Sequence, residues 1–175
     1  MRRHESRNLL NPGTDPLIRK SRGLSPKPKV DVPGVSPNSA KIKKIALSDY
    51  PALIEIWKEA GFRIGISEEK PEVAKFLQTN PNTSLGIYIN DVLVGCILGG
   101  YDGRRGLIHH FAVKKEHQGK GYGKALLEQL MAVFKEKDVV KVSFWVKKDN
   151  TQVIPFYERN GFILRDDLIT MSKEL

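Results

Sequence analysis

The run Gln118-Gly119-Lys120-Gly121-Tyr122-Gly123-Lys124 restricts the possible folds more than any other stretch of this chain. It follows a strand-like run, residues 106–113. It opens a helix-like run, residues 124–134, that places Leu126, Leu127, Leu130, Met131 and Phe134 on one face. Three glycines in five positions make a turn whose backbone can come close to a ligand, because no Cβ intervenes. Successive N–H groups there, with the positive end of the following helix, make an anion site. Lys120 and Lys124 add charge on the same side. Taken alone, the same residues also suit a merely flexible Gly/Lys loop.

Two common phosphate loops do not fit. A Walker loop aligned on Gly123-Lys124 needs glycine where Gln118 stands and Ser or Thr where Ala125 stands. A dinucleotide fingerprint started at Gly119 or Gly121 meets Lys124 or Leu126 at its third glycine. The pattern that fits is Q-x-x-G-x-G, met by Gln118, Gly121 and Gly123 after Phe111-Ala112-Val113. It resembles the coenzyme-A loop of the GNAT N-acetyltransferase superfamily.

The basic charge says little about partners. Of the net +9, residues 1–40 carry +5, from eight Lys/Arg against three Asp/Glu. This stretch also holds six of the ten prolines and no sustained apolar period, which predicts a disordered or loosely attached arm. Most of the basic excess therefore lies outside the expected domain, residues 41–175, and a nucleic-acid face is not indicated. Arg2, Arg3 and Arg7 raise a transit peptide, which Glu5, Asp15 and the prolines fit poorly. No apolar run approaches the roughly 20 residues of a membrane span. A single cysteine, Cys96, allows no internal disulfide, so a cytoplasmic location is expected. The four histidines (His4, His109, His110 and His117) have no metal-ligand spacing, and no metal is expected.

From Lys41 onward periodicity begins. Ile42, Ile45 and Leu47 alternate as a first strand, and Ser48-Asp49 cap a helix bearing Leu53, Ile54, Ile56 and Trp57 that Gly61 stops. Ser67, Glu68 and Glu69 open a second helix, through Val73, Phe76 and Leu77 to Asn80-Pro81. Residues 84–89 and 92–99 read as strands joined at Asn90-Asp91, a hairpin signal. A looser turn then leads to a fourth strand, 107–113. Beyond the glycine-loop helix, residues 139–146 alternate as a fifth strand, 150–160 form a fourth helix, and 162–164 and 168–172 finish the sheet. The order β-α-α-β-β-β-α-β-α-β-β is that of the GNAT fold. It implies an α/β (α+β) architecture: a mixed, mostly antiparallel sheet, helices on both faces, and splayed fourth and fifth strands. Gly99-Gly100-Tyr101-Asp102-Gly103 with Arg105-Gly106 resembles, more narrowly, the bacterial subgroup typified by YpeA.

The resemblance implies an acetyl-CoA-dependent N-acetyltransferase, an acyltransferase of the EC 2.3.1 class, with acetyl-CoA as cosubstrate. It implies that the N–H groups from Gly119 to Lys124 take the pyrophosphate, and that the backbone of Phe111, Ala112 and Val113 pairs with the pantetheine amides like a neighbouring strand. The Phe111 N–H would then steady the thioester oxygen. The segment from Asn150 to Phe162 resembles the family's N…FYE..GF segment. There Tyr157 is the general acid at the sulfur, and Asn150 caps the helix and touches the cofactor arm. An amine must be neutral to attack, so a proton acceptor is needed. His109 is the candidate, expected on the same strand face as Leu107 and Phe111. By strand alternation His110 points to the other face, and Glu55 acting through water is the alternative. In this fold the acceptor site lies by the first two helices and their connection, near Trp57, Phe62, Arg63, Glu68 and Glu69. The acceptor, a small molecule or a peptide, stays open, as does a homodimer. The alternative function is a non-catalytic acyl-CoA sensor using the same pocket.

Overall fold

The computed structural model describes residues 40–173. The arm expected over residues 1–40 therefore falls outside the described residues, except for Ala40. The chain runs β1 (Ala40–Lys44), α1 (Tyr50–Glu59), α2 (Lys70–Thr79), β2 (Ser84–Ile89), β3 (Val92–Tyr101), β4 (Gly106–Val113), α3 (Tyr122–Glu136), β5 (Val142–Ser143) and α4 (Ile154–Arg159). These strands form one five-stranded sheet in sequence order. Each of the first four runs antiparallel to the next, and β5 joins β4 in parallel. Asn90 and Asp91 both take left-handed angles, φ 49° and 61°, as a two-residue hairpin turn requires.

The sheet has two covered faces. Leu53, Ile56 and Trp57 of α1 and Val73 of α2 pack on one, with Tyr88, Cys96, Leu98 and Ala112. Leu126, Leu127, Leu130 and Phe134 of α3 pack on the other, with Leu85, Ile87, Val94, Ile97 and Ile108. The central strand β3 is buried almost throughout, as a strand covered on both faces must be. A Cβ at Gly99 would stand 2.7 Å from both Leu130 Cδ1 and the Thr83 carbonyl oxygen. The Thr83 backbone cannot give way, so Gly99→Ala is expected to destabilise the domain by about 1–3 kcal/mol. Urea unfolding at an unchanged m-value would measure it, and an unaltered midpoint would refute this packing. A chain starting at Ser39 keeps β1 whole and is expected to melt within a few degrees of the full chain, whereas loss of soluble protein would move the domain boundary.

The sheet departs from the sequence reading at three places. The first strand ends at Lys44, and Leu47 lies in a short 3-10 turn, Leu47–Asp49. The fifth strand, expected over 139–146, shrinks to Val142–Ser143. Residues 162–164 and 168–172 form no strand, and Ile163 and Ile169 are 80% and 92% exposed. The cause is pairing: β5 meets β4 only at Gly106↔Val142 and Leu107↔Ser143. An alternating sequence becomes a strand only where a neighbour accepts its backbone hydrogen bonds. Residues 108–113 therefore have no β5 partner, and the two strands are splayed as expected.

Beyond those three, a bulge in β4 reorients the histidines. In the β3–β4 pairing Ile97 faces Phe111, whereas Gly99 faces Ile108. Both His109 and His110 thus lie opposite Leu98. The extra residue restarts the alternation. His109 packs against Phe76 (5.1 Å between ring centroids) and His110 against Trp57 (4.3 Å), so both occupy the α1/α2 face. Phe111 lies on the α3 face, against Phe156. The expectation that His109 shares a face with Phe111 is corrected; His110 does lie opposite Phe111 as expected, but His109 lies there with it.

Candidate active site

The glycine loop obeys its local chemistry. After a 3-10 turn, Lys115–His117, the Gln118 side chain donates to the Val113 carbonyl (2.9 Å) and ties the loop back to β4. Gly119 (φ 72°) and Gly121 (φ 82°) then take the left-handed angles that glycine adopts freely. Among the described residues, the N–H groups of residues 119–124 have no hydrogen-bond acceptor. The first inward bond runs from the Ala125 N–H to the Gly121 carbonyl, 3.0 Å. Gly123 has ordinary helical angles, and a Cβ there would lie 3.6 Å from the Phe111 ring. Gly121 therefore supplies conformation, and Gly123 supplies room beside Phe111.

This loop forms one wall of a groove of about 1000 Å³. Of the residues singled out in the sequence, Phe111, Ala112, Val113, Gln118, Gly119, Gly121, Tyr122, Gly123, Lys124, Asn150 and Tyr157 line it. Lys120 does not, and the Lys124 ammonium lies 3.7 Å from Glu128 on its own helix. Two buried polar atoms at this wall, His117 Nδ1 and Tyr122 Oη, have no partner among the described residues. The opposite wall is α4. Its helix begins at Ile154 rather than at Asn150, after a 3-10 turn, Thr151–Val153. Pro155 suits this restart, because a first-turn residue needs no N–H partner. Asn150 makes no side-chain cap, which corrects its expected capping role; its Oδ1 accepts instead from Gln152 Nε2 (3.4 Å).

Tyr157 stands among aromatic rings: Phe144 at 4.3 Å, Phe156 at 5.2 Å, Phe162 at 6.0 Å and Phe111 at 6.3 Å. Burial pushes its pKa up to about 12, so the hydroxyl stays protonated throughout the neutral range. Cys96 is wholly buried in the α1-side core, and burial holds its thiol near pKa 12. That leaves no thiolate for a covalent relay.

The histidines line a second, smaller hollow of about 390 Å³ under α1 and α2, with Trp57, Glu68, Glu72 and Phe76. The structure thus separates His109 from Tyr157, which no sequence signal indicated. Protein packed round each ring lowers the pKa of both histidines, although the His109 side chain is exposed. Glu55, Arg63 and Glu69 line neither hollow.

The fold is shared with known proteins. Residues 43–162 match the acetyltransferase (GNAT) family. The chain belongs to the acetyltransferase (GNAT) family. Acetyltransferase SG1711 of Sodalis glossinidius (strain morsitans) is 25% identical over 135 residues, covering 77% of this chain and 95% of that protein. Acetyltransferase ECA0875 of Pectobacterium atrosepticum is 27% identical with the same coverage. In structure, the PaiA N-acetyltransferase of Thermoplasma acidophilum in complex with coenzyme A is alike at TM-score 0.66 and 23% identity, over 73% of this chain and 92% of that one. Ard1 of Thermoplasma volcanium is alike at TM-score 0.67 and 21% identity, over 73% and 84%.

As a GNAT acetyltransferase the chain is an acyltransferase of the EC 2.3.1 class, with acetyl-CoA as its substrate. Its groove adds a residue that sequence reasoning missed, Glu59, and a contact it did not foresee, Phe62 on His110. Glu59, at the end of α1, accepts from the Lys115 N–H (2.6 Å) and holds the loop after β4. Phe62 lines the groove and packs on His110 at 5.0 Å between ring centroids. Partners 56 and 48 residues apart leave no local signal. No helix among the described residues is long and apolar enough to cross a membrane.

Proposed function

We propose that this cytoplasmic acetyltransferase moves the acetyl group of acetyl-CoA to a primary amine of a small molecule or peptide, by direct attack in a ternary complex. The observation that carries the reading is the run of unpartnered N–H groups at residues 119–124 in the same groove as Tyr157 and the unpaired part of β4. Those groups and the α3 N-terminus receive the pyrophosphate. The backbone of Phe111, Ala112 and Val113 pairs with the pantetheine amides, and Asn150 touches the same arm from α4. The Phe111 N–H polarises the thioester oxygen as charge develops on it. Tyr157 gives its proton to the departing sulfur.

The phenol is a weaker acid than the thiol that forms, by the ordinary scale. The same apolar surroundings raise the basicity of a thiolate left beside it. Its proton therefore moves as the C–S bond breaks, and the phenolate recovers one, through water, from the newly acylated nitrogen. The base that first neutralises the amine is one of the β4 histidines, His109 or His110, since burial favours the neutral ring in both. A place in the YpeA-type bacterial group belongs to the same reading. Gly99 and Gly106 have a packing reason of their own against Phe134, so that likeness names no acceptor.

The test is acetyl-CoA turnover against a panel of amines, amino acids and short peptides, followed by release of the coenzyme-A thiol. Release that depends on an amine is expected. Coenzyme A that binds with no release for any amine would make the chain an acyl-CoA-sensing module instead.

A further inference from the structure

Within the smaller hollow, one carboxylate needs an explanation. The Glu68 side chain is only 13% exposed. Its Oε2 accepts from the Gly65 N–H (2.8 Å), and its Oε1 accepts from the Ser67 hydroxyl (3.1 Å). Both donors are neutral: they fix the carboxylate in place without cancelling its charge. Among the described residues its one ion-pair partner is His110, whose Nε2 lies 3.5 Å from Oε1. Burial drives that imidazole toward its neutral form, and His109 beside it works the same way. A buried carboxylate without a cation is costly. The other acid of the hollow, Glu72, already has Lys75 at 3.5 Å. Glu68 is the carboxylate left for a visiting cation.

The surroundings restrict that cation. Trp57, Val73, Phe76 and Leu98 make the remaining walls largely apolar. About 390 Å³ is at the small end of ligand pockets. The hollow also adjoins the acetyl-CoA groove. His110 and Phe111 are neighbours on opposite faces of β4, where that strand has no β5 partner, and Phe62 touches His110 from within the groove.

Resting on the acetyl-transfer reading above, we infer that Glu68 and His110 receive the acceptor: Glu68 draws in a compact amine as its ammonium ion, and His110 takes the proton that frees it to attack. The step balances. The ammonium loses one proton to Nε2, which passes it to solvent. The freed lone pair forms the N–C bond and the C–S bond breaks. The sulfur takes the Tyr157 proton, and the second nitrogen proton restores the phenol. Glu68, the acid of the hollow with no lysine or arginine beside it among the described residues, disfavours an acceptor with a carboxylate next to its amino group, so the substrate class is a small apolar amine rather than a free amino acid.

A matched pair of acceptors, 3-methylbutylamine and leucine, tests the charge rule, because they differ only by the carboxylate. In the wild-type chain the amine is expected to have the higher kcat/KM. Glu68→Gln is expected to raise the KM for the amine about fivefold, the loss of one charge-assisted contact. It should leave the KM for acetyl-CoA unchanged and narrow the preference over leucine.

The pH profile separates the two histidines. Activity needs neutral His110, so kcat/KM rises with pH through its pKa. The groups facing that ring are Glu68 from the turn before α2, His109 on its own strand and, elsewhere in the hollow, Glu72 and Lys75 of α2. The Glu68 charge raises the His110 pKa, so Glu68→Gln moves the rise to lower pH. His110→Gln abolishes it and His109→Gln keeps it. Should Glu68→Gln fail to fold, His110→Gln and the wild-type acceptor preference carry the test. Leucine equal to or better than the amine, or a rise lost with His109 rather than His110, would overturn this inference while leaving acetyl transfer intact. No transfer to any amine, with coenzyme A still bound, would overturn both.

Discussion

Tyr157→Phe is expected to lower kcat by ~10²-fold or more while acetyl-CoA binds as to the wild type. The substitution removes one oxygen and leaves the ring. The contacts with Phe144, Phe156, Phe162 and Phe111 that seat α4 therefore persist. What is lost is the proton donor beside the departing sulfur. With the phenol pushed up to about 12, the hydroxyl is fully protonated at every pH where the protein would be assayed. The deficit should accordingly be the same from pH 6 to pH 9, and no alkaline fall in kcat should trace to this group. Single-turnover kinetics with the best acceptor would measure it. An undiminished rate would mean that water protonates the sulfur and that Tyr157 only packs.

The second large effect belongs to Gly121. Its φ of 82° is one that a β-branched residue adopts only under strain. Gly121→Val therefore both tilts the loop and puts methyl groups where the unpartnered N–H groups must meet phosphate. Affinity for coenzyme A is expected to fall at least tenfold, about 1.4 kcal/mol. Gly123→Ala is the comparison. Its Cβ would meet the Phe111 ring at an ordinary 3.6 Å, and its backbone is helical. That variant should fold and keep most of the affinity. Titration calorimetry distinguishes the two, and a folded Gly121→Val with wild-type affinity would remove the pyrophosphate from this loop.

The features that could be read in advance depend on residues close together in the chain. The positive φ of Gly119 and Gly121, the Asn90-Asp91 turn and the apolar face of α3 are conformations that a few neighbouring side chains select. The expectation of a groove lined by Tyr157 comes with the family resemblance of the 118–124 and 150–162 segments, and Tyr157 does line the groove. The features that could not be read depend on partners far along the chain. A bulge opposite Leu98 turned His110 onto the face of His109, because strand alternation holds only while the pairing register does. Residues 139–146 alternate well, yet only Val142 and Ser143 pair with a neighbouring strand. Glu68 met His110 across 42 residues, a contact made by burial beneath α1 and α2 and by nothing in the residues adjoining either one. Backbone preference is a local property of the chain, whereas register, pairing and the company a buried charge keeps exist only after distant segments have packed.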